Sequence, residues 1–154
     1  MSIDKSIIAI EKSIPFFEKK HINSSSVNVA WHLDHSLKVI NSVSDALMQS
    51  KPENYKPTFS FIKSYIFLTK KIPRGKARAP KNVVSTSEIS TKSLEIQLES
   101  AKLNLQKIKK LPSKSHFPHP YFGMLQLKKS LRFLAIHSNH HLKIIEEIIE
   151  NNYL

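Results

Sequence analysis

Apolar residues in the C-terminal third of the chain recur at intervals of three and four positions, and this spacing constrains the fold more than any other feature. Such intervals place side chains on one face of an α-helix, whereas a strand requires alternation. The apolar positions are Leu127, Leu131, Leu134, Ile144, Ile145, Ile148 and Ile149. The pattern predicts a long amphipathic helix that ends near Asn151 and turns its apolar face toward a core.

Three other segments show the same helical spacing. The first covers residues 3 to about 20, and Pro15 is expected to bend or break it. The second starts at the N-cap residue Asn28 and runs to about residue 49. The third runs from near Ser87 to about residue 111, where Pro112 ends it.

The connection between the second and third of these helices is long and irregular. Residues 59–68 can form a short helix or an extended apolar run, and prolines divide the rest, at Pro52, Pro57, Pro73 and Pro80. Four amphipathic helices without a credible strand pattern predict an all-α protein with only incidental β structure. We expect a four-helix bundle with one long crossover between helices 2 and 3.

Composition bounds the size and the chemistry of the molecule. The 154 residues are 40% hydrophobic, which predicts one domain, spanning residues 1–154, with one sizeable core. The chain has no cysteine, and this excludes disulfides, thiolate metal ligands and a nucleophilic thiol of its own. Because there is neither a leader-like apolar segment nor an apolar stretch of about 18 residues, we expect a cytoplasmic protein without membrane association.

The formal net charge of +12 raises the question of nucleic-acid binding, since clustered lysine and arginine neutralise phosphates. The lysines are spread along the whole chain, and arginine occurs only at Arg74, Arg78 and Arg132. No helix-turn-helix or aromatic RNA-binding motif is evident. We therefore interpret most of the charge as a solvated lysine surface, and nucleic-acid binding is a minor alternative.

Two histidines fall inside the apolar stripe of the last helix. His137 and His141 are four residues apart, so both rings project from one helix face and are expected to point inward. A single metal ion would satisfy both imidazoles, which find few partners among aliphatic side chains. The alternative is that they are ordinary core histidines bonded to carbonyls or water. Both interpretations are open until a third ligand is found.

The second long helix offers two candidates for that third ligand, His32 and His35. His35 is the better one because it shares a helix face with apolar residues, namely Val39, Val43 and Ala46. Trp31 and His32 are expected toward a neighbouring element or the rim of a pocket, and Asp34 at the rim or in a dimer contact.

The remaining histidines are interpreted as other than ligands. His140 turns about 100° away from His141 on the same helix, so we expect it beside the site and outside the ligand set. His119 lies between two prolines and is either a turn residue or a substrate contact. His21 and His116 are expected at the surface.

Two stretches together resemble a known family. Residues 28–40 read Asn-Val-Ala-Trp-His-Leu-Asp-His-Ser-Leu-Lys-Val-Ile, and residues 137–144 read His-Ser-Asn-His-His-Leu-Lys-Ile. They look like the DinB-like superfamily, which includes the YfiT-like metal-dependent hydrolases. In that family a helical histidine seven positions after a cap residue is paired with a later His-x-x-x-His. These ligand positions fall on His35, His137 and His141.

The middle of the chain is similar to an uncharacterised subgroup of the same superfamily, in residues 72–80 and 119–123. The resemblance implies a DinB/YfiT-type four-helix bundle with a divalent metal, most often nickel or zinc. By ligand type, iron or cobalt would also fit three imidazoles. It further implies hydrolase or thiol S-transferase chemistry with a low-molecular-weight thiol such as bacillithiol, mycothiol or glutathione, and homodimerisation.

The predicted function is that of a metal-dependent enzyme acting on a small-molecule substrate. The metal would lower the pKa of a water molecule or bind an external thiolate, because the chain supplies no thiol. Arg74, Lys76 and Arg78 form a basic loop that either binds an anionic co-substrate or is only solvated. Since no obvious general base lies beside the ligands, the alternative is a catalytically inactive helical binding module.

Overall fold

The computed structural model describes residues 1–75, 83–85 and 88–152. Over these residues the protein is mostly helical, with five α-helices and one small antiparallel sheet. The helices are α1 (Ile3–Ser13), α2 (Val29–Gln49), α3 (Phe61–Thr69), α4 (Thr91–Ile108) and α5 (Leu127–Glu150), and the strands are β1 (His116–His119) and β2 (Gly123–Gln126). The predicted all-α class is confirmed, and the sheet is the only β structure in the described part of the chain.

The core lies between the four longer helices. Helix α2 packs against both α4 and α5, and α1 packs against α5. Each contributes side chains that are almost fully buried, among them Ile10, Leu33, Leu37, Ile40, Leu94, Ile108, Leu134, Ile145 and Ile148. The apolar stripe predicted for α5 therefore faces the core, and burial of these side chains drives the association of the helices.

The N-terminus of α2 fixes where that helix begins. The side-chain oxygen of Asn28 accepts a hydrogen bond from the Trp31 N–H at 3.0 Å. This bond satisfies one of the backbone N–H groups that an α-helix leaves unpaired at its start. The predicted cap is confirmed, and it marks the start of α2 at Val29.

The first and third predicted helices are shorter than expected. The expected break at Pro15 is confirmed, since helix α1 ends at Ser13 and Pro15 lies in a short 3₁₀ turn, Ile14–Phe16, where it cannot donate to a helical hydrogen bond. Helix α4 begins at Thr91, where Ser90 and Ser93 form a reciprocal capping box, and it ends at Ile108. The predicted start, Ser87, lies outside the described residues.

The crossover between α2 and α4 contains α3, so of the two alternatives for residues 59–68 the short helix is confirmed, over Phe61–Thr69. The Ser60 side chain caps this helix by accepting the Lys63 N–H at 3.2 Å. Arg132 of α5 holds it in place, since its guanidinium donates to the Phe67 carbonyl and lies 5.2 Å from the centre of the Phe67 ring.

The β1–β2 hairpin is attached to the start of that crossover. The Thr58 hydroxyl accepts the Met124 N–H at 2.8 Å, and the Ser60 hydroxyl donates to the Tyr121 carbonyl at 3.0 Å. These bonds hold the loop between the two strands against the residues that precede α3. None of the helices described combines the length and the apolar character needed to cross a lipid bilayer.

Candidate metal centre

Three imidazoles from two helices meet in the interior of the protein. One ring nitrogen from each of His35, His137 and His141 lies within 4.8 Å of the others. The ring centroids are 4.7 Å apart for His137 and His141, and 4.9 and 5.0 Å from His35 to these two. The structure thus brings together the three predicted ligands, and a cluster of this size can hold a metal ion.

His35 is held in one orientation by a hydrogen bond at the edge of its ring and by an aromatic ring stacked on its face. Its Nδ1 lies 2.9 Å from the carbonyl oxygen of Val83, in the crossover. Because a carbonyl can only accept, Nδ1 carries the proton and Nε2 carries the lone pair that a cation requires. The Trp31 indole stacks on the ring at a centroid distance of 5.0 Å and an angle of 17°. Burial lowers the pKa of His35, which keeps the imidazole neutral.

His141 is oriented by a chain of hydrogen bonds that reaches the connector before α2. Its Nδ1 lies 2.9 Å from Nδ1 of His32, and Nε2 of His32 lies 2.9 Å from the Ser25 hydroxyl. If His141 donates, His32 accepts at Nδ1 and donates from Nε2 to Ser25. In this arrangement the free lone pair of His141 is on Nε2, where it can bind a metal. The opposite arrangement would place a proton on that nitrogen and exclude it as a ligand.

Burial lowers the pKa of both histidines in this chain. The pKa of His32 falls to about 4, chiefly because the ring is removed from water and secondarily because of the nearby His140. The pKa of His141 lies well below its usual range for the same first reason, with His137 next in importance. Both rings are therefore neutral near pH 7, as ligation requires.

His137 carries the clearest sign of an incomplete site. Its Nδ1 is buried and has no hydrogen-bond partner within the described part of the chain. Burial holds the pKa of this ring well below its usual range, and His35 lowers it further. Buried polar atoms in proteins are nearly always paired, so an orphaned imidazole nitrogen in a cluster of three points to a group that completes the cluster.

Asp34, although adjacent to His35 in sequence, is not part of this cluster. It is 2% exposed, accepts bonds from Ser85 and Gln97, each at 2.9 Å, and forms an ion pair with Lys38 at 3.0 Å. The expectation of a rim or dimer contact was wrong, because α4 and the crossover cover this side of α2. The candidate donor set is therefore three neutral imidazoles, without a carboxylate among the described residues.

A cavity of about 1020 Å³ opens above the three histidines. Its walls come from α2, α3, α5, the hairpin and the crossover, and its lining includes His140 as well as the three candidate ligands. The His140 ring meets His141 edge-on at a centroid distance of 5.1 Å. Burial, with Arg74 next in importance, lowers the pKa of His140. His140 thus lies beside the candidate ligands, is not one of them, and reaches the same space.

The predicted anion-binding loop is described only at Arg74. Its guanidinium donates two hydrogen bonds to the carboxylate of Glu147, at 2.6 and 2.9 Å, and this pairing raises the Arg74 pKa. This bidentate ion pair already uses the two parallel N–H donors, on Nη1 and Nη2, with which an arginine binds an anion. Lys76 and Arg78 lie outside the described residues, so a role of this loop in co-substrate binding stays a prediction.

His116 and His119 begin and end strand β1. The expectation that His116 lies at the surface was wrong, because the residue is 8% exposed beside the Tyr55 ring and donates from Nδ1 to the Lys114 carbonyl. His119 lines the cavity, where its ring stacks on Phe122 at a centroid distance of 4.0 Å. His21 is partly buried and bonded through Nδ1 to Ser24 at 2.9 Å.

Sequence reasoning missed the role of His32. Its contact with His141 spans 109 residues of chain, and periodicity on one helix does not show which side chains meet across two helices. The available signal was the i, i+3 spacing of His32 and His35, which places both rings on neighbouring lines of α2.

No protein-family model, curated protein or solved structure matches this chain. The resemblance to the DinB-like superfamily therefore rests on the two histidine-bearing stretches and stays a prediction.

Proposed function

We propose that the protein is a divalent-metal-dependent enzyme of the DinB-like kind, with His35, His137 and His141 as the ligands. The observation that carries this proposal is the convergence of three imidazole nitrogens within 4.8 Å at the base of a large cavity. The four longer helices would then correspond to the DinB-type bundle. Nickel or zinc is the metal that we propose first, and iron or cobalt would suit the same donors.

Three protein ligands leave coordination positions open, and this is the usual form of a catalytic rather than a structural site. When bound there, a divalent cation supplies a Lewis acid that makes water or an external thiol nucleophilic near neutral pH. The protein's own part is to hold the ligands. The Val83 carbonyl orients His35, and the relay of His32 and Ser25 orients His141, so that each presents Nε2.

His140 is the residue that we propose as a proton acceptor. It lines the cavity, lies next to His141 and is not one of the candidate ligands. Since burial lowers its pKa, its ring is neutral near pH 7 and has a free lone pair for a proton. This assignment supplies the general base that the sequence did not reveal.

Water is the nucleophile that the described part of the cavity favours. No charged side chain is found among its described lining residues, and Arg74 is already paired with Glu147. A thiol that carries several carboxylates would need Lys76 and Arg78 to bind. We therefore propose hydrolysis of a small molecule as the first activity and thiol S-transfer as the second.

The test measures metal content and activity on the same preparations. The wild type is expected to retain about one divalent ion per chain after loading and dialysis, whereas His137→Ala and His141→Ala lose most of it. His140→Ala is the matched control because it removes a neighbouring imidazole on the same helix without removing a ligand. It is expected to keep the metal and to lower the rate of ester hydrolysis about 100-fold or more.

Equal metal content in the wild type and the two ligand variants would end the proposal. Full metal content without turnover, either of a panel of esters or of an electrophile supplied with a panel of thiols, would favour the inactive binding module. Turnover only in the presence of a thiol would reverse the order of the two proposed activities.

A further inference from the structure

The wall of the cavity is apolar, whereas its base carries the candidate metal ligands. Above the histidines it consists mainly of aromatic and aliphatic side chains, including Trp31, Ile66, Phe117, Phe122 and Phe133, with Ser42 as a small polar residue. Among the lining residues that the structure describes, there is no Asp, Glu, Lys or Arg. A charged ligand would therefore lose its hydration without gaining a partner of opposite charge on this wall.

The mouth of the cavity is apolar as well. Phe61 and Tyr65 of α3 are 80% and 57% exposed, and Tyr121 of the hairpin loop is 49% exposed, although all three line the cavity. Large aromatic side chains grouped at an opening indicate a binding site, because burying them against an apolar ligand is favourable. Size agrees with this, since about 1020 Å³ is at the upper end of the range for small-molecule sites.

One hydrogen-bond donor on the wall has a fixed position, and it belongs to His119. The backbone N–H groups of Tyr121 and Phe122 both donate to Nδ1 of His119, at 3.1 and 3.2 Å. Because Nδ1 accepts, the proton of the neutral ring must lie on Nε2. Burial lowers the pKa of His119 to about 4, so the ring stays neutral near pH 7.

The His119 ring cannot easily turn away from the cavity. It stacks on Phe122 with an interplanar angle of 9°, and its centroid lies 4.6 Å from that of Phe133 in an edge-to-face contact. The centroids of Phe133 and His137 are 5.6 Å apart, so one aromatic ring separates this donor from the candidate metal ligands. Nε2 of His119 has no bonding partner within the described part of the chain.

We propose that the cavity binds an uncharged, mainly apolar small molecule with a carbonyl-type oxygen, and that the Nε2–H of His119 donates a hydrogen bond to that oxygen. The bulky apolar body of the ligand packs against the aromatic wall, and the fixed donor selects for the acceptor. This inference rests on the proposed function in that the bound carbonyl group would be the one presented to the metal centre.

The single tryptophan of the chain, Trp31, lines the cavity and provides the signal. The probes are cyclohexyl methyl ketone, which no hydrolase cleaves, the hydrocarbon isopropylcyclohexane and the anion cyclohexanecarboxylate. Fluorescence titration of the full chain, freed of metal by a chelator, is expected to show the tightest binding for the ketone and the weakest for the anion. One neutral hydrogen bond predicts a preference for the ketone over the hydrocarbon of about 3- to 10-fold.

The variant His119→Asn separates the donor from the fold. An asparagine oxygen can still accept the two backbone N–H groups of the turn, but its amide is too short to reach the position of Nε2. We expect the preference for the ketone to disappear while affinity for the hydrocarbon is unchanged. Should this variant fail to fold, the comparison of the three probes on the wild type still tests the inference, because a ketone bound no more tightly than the hydrocarbon would overturn it.

Binding of the anion as tight as that of the ketone, no binding of any probe, or an unchanged preference in a folded His119→Asn protein would overturn the inference. Metal content, measured separately on the same preparation before chelation, decides the proposed function. The two failures are thus distinguishable, because an apolar ligand can bind this cavity in a chain that never holds metal.

Discussion

The imidazoles of His35 and His141 are each oriented through Nδ1, but by partners of different kinds. The Val83 carbonyl can only accept from His35, whereas His32 can either accept from His141 or donate to it. Only the first arrangement lets His141 bind a metal through Nε2. In the proposed metal site His32 is therefore a positioning residue, and its own partner, Ser25, contributes to the orientation of His141 through it.

Replacement of His32 by leucine should weaken metal binding without removing a ligand. The variant takes away the acceptor that directs the His141 proton to Nδ1, so we expect metal affinity to fall about 10- to 100-fold. Competition titration with a chromogenic chelator measures this change. Trp31→Phe is the neighbouring control and should alter affinity less, since it keeps an aromatic ring on His35. Equal affinities of the wild type and His32→Leu would contradict the assignment.

The hairpin is the element that carries His119 to the cavity, and its geometry depends on one glycine. Gly123 has a φ of +68°, and a Cβ added there would lie 2.2 Å from Oγ1 and 2.9 Å from Cβ of Thr58. Gly75 has a similar φ of +69°, but no atom of the described residues lies within 4 Å of its added Cβ. Replacement by alanine would therefore strain the backbone at both positions, but it would cause a steric clash only at Gly123.

Gly75→Ala should cost about 1 kcal/mol of unfolding free energy, from the positive φ alone. Gly123→Ala should cost clearly more, because Thr58 must move and its bond to the Met124 N–H is disturbed. Denaturant unfolding of the two variants gives the comparison. Similar losses in both would show that the contact between the hairpin and Thr58 does not constrain the loop.

The capping box of helix α4 offers a second test of how local contacts stabilise the fold. The side chains of Ser90 and Ser93 satisfy each other's backbone N–H groups at 3.1 Å. Ser90→Ala is expected to destabilise the protein by about 1 kcal/mol, and Ser90→Asp, which keeps an acceptor, by less. Thermal unfolding of the two variants measures the difference, and an Ser90→Ala protein as stable as the wild type would contradict the cap.

Sequence alone predicted the parts of the fold that local rules govern. The Asn28 cap and the stripe of α5 are local signals, and the same rules placed His35, His137 and His141 on inward faces. What it missed depends on contacts between distant segments. The relay through His32 joins two helices far apart in the chain, and the burial of Asp34 comes from α4 and the crossover. Neither leaves a periodic trace.

The interior of the protein contains several histidines that are neutral near pH 7. Burial lowers the pKa of each of His32, His35, His119, His137, His140 and His141. At acidic pH the folded chain therefore binds fewer protons than the unfolded chain. This difference lowers the free energy of unfolding of the metal-free protein at every pH at which the histidines are protonated in the unfolded chain and neutral in the folded one.

Stability of the metal-free protein should consequently depend on pH in one direction. Below pH about 6.5 the unfolded chain binds more protons than the folded one, so the free energy of unfolding falls as the pH decreases. For His32 and His119 this fall continues down to about pH 4, where the folded rings begin to protonate. Each such histidine contributes a slope of about 1.4 kcal/mol per pH unit.

Urea unfolding at about pH 7.5, 6.0 and 5.0 measures this dependence. His119→Asn is expected to reduce the slope by the contribution of one histidine. A free energy of unfolding that does not change over this range would show that the histidines take up protons as readily in the folded chain as in the unfolded one, which contradicts the lowered pKa values.

Anomalous diffraction from a crystal loaded with zinc or nickel is the sharpest test of metal binding by the three histidines, because it locates the ion itself. We expect one strong peak per chain, with nitrogens of His35, His137 and His141 about 2.0–2.2 Å from it and at least one position open toward the cavity. A peak held by other residues, or no peak between these three rings in a crystal soaked with the metal, would contradict it.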